Sequence, residues 1–316
     1  MLSIVIDAEK IYIMNKKHLI VIIGPTAIGK TRLSIQLAQH FECEIISADS
    51  RQFYKEMSIG TAVPSKEELE QAKHHCIQHK SIHEPYTVGD FEKEGLEIIN
   101  SIFETQDYAI LIGGSGLYID AITKGLDQFP EVDPTIRQKL QEEFEANGLH
   151  TLQEQLKTLD PVHASTMDLQ NPHRVIRALE ICIATDKPYS SFINKKKEHR
   201  NFNIITIGIT ADREIIYDRI NQRVNIMIDQ GLVDEAQQLY KYKTLNALNT
   251  VGYKEIFQYL DGNWSKDFAI SEIKKNTRRF AKRQLTWFRK NENTHWFDYQ
   301  YELNQIIEHI KTKNKL

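Results

Sequence analysis

The stretch HLIVIIGPTAIGKTRLSIQLAQHF, residues 18–41, decides the fold. After His18 the apolar residues Leu19, Ile20, Val21, Ile22 and Ile23 run without alternation, the pattern of a strand buried on both faces. The run stops at GPTAIGKT, which spans Gly24, Pro25, Thr26, Ala27, Ile28, Gly29, Lys30 and Thr31. Beyond it Leu33, Leu37 and Phe41 recur at helical spacing, on one face. A strand, a GxxxxGKT turn and a helix, in that order, form a phosphate-binding loop. Its glycines let the backbone approach an anion, and successive N–H groups at the helix start point at it. Lys30 adds a positive charge, and the Thr31 hydroxyl is the Mg2+ ligand of such loops.

Further along, CEIISADS (43–50), DYAILIGGSGLY (107–118) and FNIITIGIT (202–210) read as three more strands, each followed by helical periodicity. Four strands alternating with helices predict an α/β fold with a P-loop NTPase-like parallel sheet, whose ligands sit beyond the carboxyl ends of the strands. Residues 125–200 carry no strand pattern, and DPTIRQKLQEEFEANG, TLQEQLKTLD and NPHRVIRALEICIATDKP within them read as helices. This predicts an all-helical insertion at 125–200, leaving through NKKKEHR (194–200), on a core made of 14–124 and 201–300. Residues 1–13, upstream of Met14, and 301–316 read as flanking tails.

The net charge of −3 excludes a global polycation, so a nucleic-acid partner needs a local basic surface. The three cysteines, Cys43, Cys76 and Cys182, lie far apart without a CxxC pair, which fits a reducing, cytoplasmic setting. No run reaches the ~18 apolar residues of a membrane span. HHCIQHKSIHEP (74–85) is rich in histidine, but histidine spacings of one, four and four residues do not make a zinc pattern.

Nucleotide hydrolases of this loop class carry a metal-binding aspartate at the end of an apolar strand. AILIGGSG ends in glycines instead, and the acid at a strand end near the loop is Asp49, in IISADSRQFY. Asp49 reads as a general base facing a substrate, or alternatively as a helix cap or an outer metal partner. Arg219 and Arg223, four apart, share a helix face that either closes over phosphates or faces solvent beside Asp218. KKNTRRFAKRQLTWFRK (274–290) holds eight Lys or Arg and no acid. There Arg278, Arg279 and Lys282 suit RNA phosphates, and Phe280, Trp287 and Phe288 suit either unstacked bases or the core.

In order and spacing, GPTAIGKT, SADSRQFYKEMSIGTAVPS, GGSGLYIDAI, NPHRVIRALE, GLVDEAQQL, TVGYKEI and RRFAKRQLTWFR resemble the bacterial tRNA dimethylallyltransferases, from about residue 18 to 298. Val63 stands where that family usually has lysine, and the stretch after His75 is irregular. The resemblance implies transfer of a dimethylallyl group from dimethylallyl diphosphate to the exocyclic amine of the adenine 3′ of the tRNA anticodon. It implies that the loop holds the diphosphate, that Lys30, Thr31 with Mg2+ and Arg223 neutralise the leaving group, and that Asp49 takes the proton. Asp49, Ser50, Arg51, Gln52, Ser115, Arg137, Gln170, Asn171, Pro172, His173 and Arg174 are its implied tRNA contacts. The expected partners are the tRNA anticodon stem-loop and the prenyl diphosphate, with no membrane and a monomeric chain. An adenylate isopentenyltransferase, and a P-loop kinase or nucleic-acid-binding ATPase, are the rival readings. The helical insertion speaks against the first and the missing strand-end aspartate against the second.

Overall fold

The computed structural model describes residues 17–193 and 200–313. The expected upstream flank, and the exit stretch apart from Arg200, lie outside them. In chain order the elements of the larger unit begin with β1 (His18–Ile23), α1 (Lys30–Phe41), β2 (Ile45–Ser47), α2 (Lys66–Gln71), β3 (His74–His75), α3 (Val88–Thr105), β4 (Tyr108–Ile112) and α4 (Gly116–Lys124). After the insertion come β5 (Asn203–Thr210), α9 (Arg213–Asp229), α10 (Leu232–Leu239), α11 (Tyr253–Leu260), α12 (Lys266–Phe288), β6 (His295–Asp298) and α13 (Leu303–Lys313).

The six strands form one parallel sheet in the order β3-β2-β4-β1-β5-β6. With β1 central, its side chains alternate between two cores. Leu19, Val21 and Ile23 pack with Phe91, Ile99 and Ile102 of α3 and Phe288 of α12. Ile20 and Ile22 pack with Leu33 and Leu37 of α1, Ile216 and Ile220 of α9, and Ile306, Ile307 and Ile310 of α13. Burial on both faces is why β1 reads as an unbroken apolar run. A third cluster, with Met57, Leu232, Tyr253, Phe257 and Ile273, joins α9 to α12.

Two strands escape the sequence reading: β3 is two histidines long, and β6 is the sequence HWFD at the sheet edge. Within 301–316, expected as a tail, Leu303–Lys313 is a helix whose isoleucines complete one core face. Its spacing of Ile306, Ile307 and Ile310 was the readable sign of a buried helix face.

Gly125–Glu198 is a separate compact unit with its own core. Its helices are α5 (Pro134–Asn147), α6 (Leu149–Leu159), α7 (Pro161–Thr166) and α8 (Pro172–Thr185). Three of them start at an Asx-Pro pair. Asp133, Asp160 and Asn171 accept the N–H of Thr135, His163 and Arg174, and the following proline occupies a first-turn site that needs no donor. Leu140, Leu152, Leu156, Val175 and Leu179 fill the core. The buried Asp160 also accepts bonds from the N–H and hydroxyl of Ser190, which ties the end of the unit to its middle. Among the described residues, no helix is long and apolar enough to cross a membrane.

Candidate active site

The loop after β1 is shaped by two glycines. Gly24 has φ 149°, and a Cβ there would press into the Ile209 carbonyl of β5. Gly29, φ 106°, is the cap of α1 and offers no side-chain cap, while the first turn of α1 holds no acid. The free N–H groups of α1 are therefore open to an anion, with no carboxylate competing. Lys30 folds back, its ammonium donating to the carbonyls of Gly24 (3.0 Å) and Pro25 (2.8 Å). Burial, reinforced by the nearby Arg223 charge and opposed by Asp49, pulls its pKa down to about 7.

Both arginines of α9 reach this loop. Arg219 Nε donates to the Ala27 carbonyl at 2.8 Å, and Arg223 Nη1 donates to the Thr26 hydroxyl at 3.1 Å. The solvent-facing alternative for this pair is thereby corrected: α9 turns that face inward against the sheet end. Burial lowers the Arg223 pKa, with Asp49 and Glu68 pulling it back up, and a guanidinium stays charged through such a change.

Loop, arginines and Asp49 line one cavity of about 350 Å³, together with Ser47, Gln52, Thr61, Val63 and Gln284. Asp49 Oδ1 accepts the Arg51 N–H at 3.0 Å, which fixes the turn after β2. Of the implied RNA contacts, Gln52 is bonded to Ser47 and to the carbonyls of Thr61 (3.2 Å) and Ala62 (2.9 Å), holding the 58–63 loop. Arg51 clamps the carbonyls of Asn246 and Ala247. Ser50 and Ser115 bond to each other, and with Asp49 and Arg51 they line an adjoining cavity of about 390 Å³. In the separate unit, Arg137 is paired with the buried Glu180 at 3.1 Å, Asn171 is a cap, and Gln170, His173 and Arg174 are exposed. On α12, Arg278 bonds Asn221, whereas Arg279 and Lys282 face solvent.

Gln284, to which the sequence pattern gave no role, has a central place. Its Oε1 accepts the Thr26 N–H and its Nε2 donates to the Gly114 carbonyl, both at 2.9 Å. Ala269, Ile273, Ala281, Gln284 and Phe288 form the buried stripe of α12. An amide within that stripe was the signal, because a buried polar side chain needs partners. Glu235 of α10, half-buried, is a second residue to which the sequence pattern gave no role. It collects the N–H groups of Ser58, Ile59 and Gly60 and the Tyr253 hydroxyl, so it shapes the loop that forms one cavity wall.

In the histidine-rich stretch, folding brings Cys76, His79 and Glu94 within ligand distance of one another, partners that spacing alone did not reveal. Glu94, however, is already met by Lys80 at 3.1 Å and by the Tyr86 hydroxyl. Burial pushes the Cys76 thiol up to about 12.

A family model described as IPP transferase matches residues 52–291. The tRNA dimethylallyltransferase of Flavobacterium johnsoniae is 62% identical over 93% of this chain and 97% of its own length. The chain belongs to the tRNA dimethylallyltransferase family. The relative from Christiangramia forsetii is 60% identical over 94% of this chain and 98% of its own. Among solved structures, the full-length tRNA isopentenylpyrophosphate transferase of Bacillus halodurans is 38% identical, with a TM-score of 0.71 over 95% of this chain and 97% of that one. A eukaryotic dimethylallyltransferase acting on tRNA, 29% identical, matches with a TM-score of 0.75 over 90% of this chain and 74% of that one.

Proposed function

We propose that this member of the tRNA dimethylallyltransferase family moves a dimethylallyl group from dimethylallyl diphosphate to the exocyclic amine of the adenine 3′ of the anticodon in tRNA. The observation that carries the reading is the cavity in which the start of α1, Lys30 and Arg223 face the strand-end carboxylate of Asp49, with Glu68 a second acid in its lining. In the step, the bond from C1 of the donor to the diphosphate oxygen breaks and a bond from the adenine nitrogen to C1 forms. Diphosphate leaves with the electron pair, and one proton passes from the amine to Asp49. Lys30, Arg223 and the N–H groups of α1 meet the charge that grows on the leaving oxygen. The exocyclic amine is a poor nucleophile, so alignment of the two substrates supplies much of the acceleration.

Mg2+ fits this cavity: the Thr31 hydroxyl lines it and has no protein hydrogen-bond partner among the described residues, and hard oxygen donors suit that ion. Held by the Thr31 hydroxyl, Mg2+ would supply further neutralisation of the leaving group's charge. The RNA side of the reading rests on the exposed Arg279 and Lys282 of α12 and on His173 and Arg174 of the Gly125–Glu198 unit. Ser115 and residues 49–52 in the unit that contains the sheet, and Arg137 and residues 170–174 in the Gly125–Glu198 unit, are each proposed as tRNA contacts, and the place of work is the cytoplasm. Labelled dimethylallyl diphosphate offered with tRNA, AMP or ATP tests the reading. Label should enter tRNA alone; transfer to AMP, or phosphate release from ATP without transfer, would overturn it.

A further inference from the structure

The two cavities share five residues: Thr26, Asp49, Thr61, Arg223 and Phe280. Four of these are polar or charged. The fifth is a phenyl ring that remains 36% exposed on α12, beside that helix's buried stripe. Core packing does not account for it. Phe280 lies one helical turn before Gln284, on the same side of α12, and adjoins the exposed Arg279, Lys282 and Arg283 in sequence. The Arg283 guanidinium carbon is 5.8 Å from the ring centre, and Arg283 lines the second cavity.

We propose that Phe280 is the stacking platform of the acceptor base: the adenine lies on its ring in the second cavity, with its amine directed across the shared seam to Asp49. The inference rests on the function proposed above. If the diphosphate occupies the loop cavity and Asp49 takes the amine proton, the purine must enter from the other cavity. At the seam, Phe280 is the aromatic face open to it. Arg283 then flanks the stacked base with positive charge on the side from which the RNA backbone arrives. A purine taken out of its own stack recovers part of that stacking on an aromatic side chain, irrespective of its hydrogen-bonding edge.

Three variants of the full-length protein test this: Phe280→Leu, which keeps apolar bulk without a π face, Phe280→Ala, and Phe280→Trp. Single-turnover transfer is measured against anticodon stem-loop concentration at saturating donor. Affinities for inorganic diphosphate and for dimethylallyl diphosphate are measured separately. A stem-loop carrying 2-aminopurine at the acceptor position, which lacks the reacting amine, reports stacking by fluorescence. Phe280→Leu and Phe280→Ala should lower acceptor efficiency by about 5- to 150-fold, the range for loss of one base–aromatic stack. Both donor affinities should stay at the wild-type value, which also certifies folding. Phe280→Trp should retain transfer and quench the 2-aminopurine emission more than wild type does.

Wild-type efficiency in Phe280→Leu would overturn the platform, leaving only a space-filling role. So would weakened dimethylallyl diphosphate binding with unchanged diphosphate binding, which would assign the ring to the five-carbon group. Failure of the wild-type protein to prenylate tRNA at all would remove the functional reading beneath, an outcome distinct from either.

Discussion

Asp49 has two oxygens, one duty in the fold and a second in the proposed reaction. One oxygen receives the Arg51 N–H and keeps the turn after β2. Asn in its place still offers that acceptor but takes no proton, so Asp49→Asn should bind stem-loop normally and lose roughly 10²–10⁴-fold in single-turnover rate. A near-normal rate would strip Asp49 of the base role. Lys30 carries a second prediction. With its pKa lowered to about 7, it is largely neutral at pH 8 until a bound diphosphate restores its charge. Binding at pH 8 should therefore take up a proton, visible as a dependence of calorimetric heat on buffer ionisation enthalpy. Affinity should fall as pH climbs above 7. Lys30→Arg, whose guanidinium does not titrate, should lose that proton uptake. The same shift has a stability sign: between about 7 and the ordinary 10.5 the unfolded chain binds more protons, so the empty protein gains stability as pH rises through that window. At this scale the loop was legible because strand, glycines and helix form a local signal. The inward turn of Arg219 and Arg223 was not, because a four-residue spacing gives the shared face and not the direction it faces.

Helix α12 divides its labour by face. Its buried stripe brings Gln284 to the loop after β1, and its exposed side carries Arg279 and Lys282. Arg279→Ala should weaken stem-loop binding and make its dependence on salt shallower, by about 0.7–0.9 in log–log slope for each RNA phosphate no longer neutralised. Arg223→Ala, on α9, should leave that slope unchanged and lower the single-turnover rate by about 10²–10³-fold, as expected for one donor to a developing anion. Salt titrations of binding with rates at saturating stem-loop decide between them. A shallower slope with a normal rate would move Arg223 to the RNA surface. The long elements were readable because their apolar period is sustained over several turns. Strands β3 and β6 were not, since two to four residues at a sheet edge are defined by the neighbour they pair with, His74–His75 against Ile45–Ile46 and His295–Asp298 against Ile207–Thr210. Trp287 was ambiguous for a related reason: its ring covers Gly116 and its Nε1 donates to Asp120, partners separated from it by up to 171 positions.

The whole molecule carries a net charge of −3, so attraction for RNA must come from local groupings rather than from the overall field. Every residue lining the two cavities belongs to the unit that contains the sheet, while Gly125–Glu198 has an independent core. Leu156 is fully buried in that core. Leu156→Ala should destabilise the helical unit by about 2–5 kcal/mol. Stem-loop affinity should drop, while diphosphate affinity stays at the wild-type value. Equal loss of both affinities would refute the division of labour. Three helices of the Gly125–Glu198 unit were readable in sequence because their Asx-Pro starts mark helices locally. The clamp at Gln284 bears on how such an enzyme can diverge. One rigid rod fixes the loop after β1 by an amide and presents cations on its far side, so these two features cannot be exchanged as modules. Inserting a single residue between Arg279 and Gln284 would rotate the two by about 100° relative to each other. If the exposed face meets RNA as proposed, a transplanted α12 must keep its register to the residue, so RNA preference would change through substitutions on that face and not through changes of length.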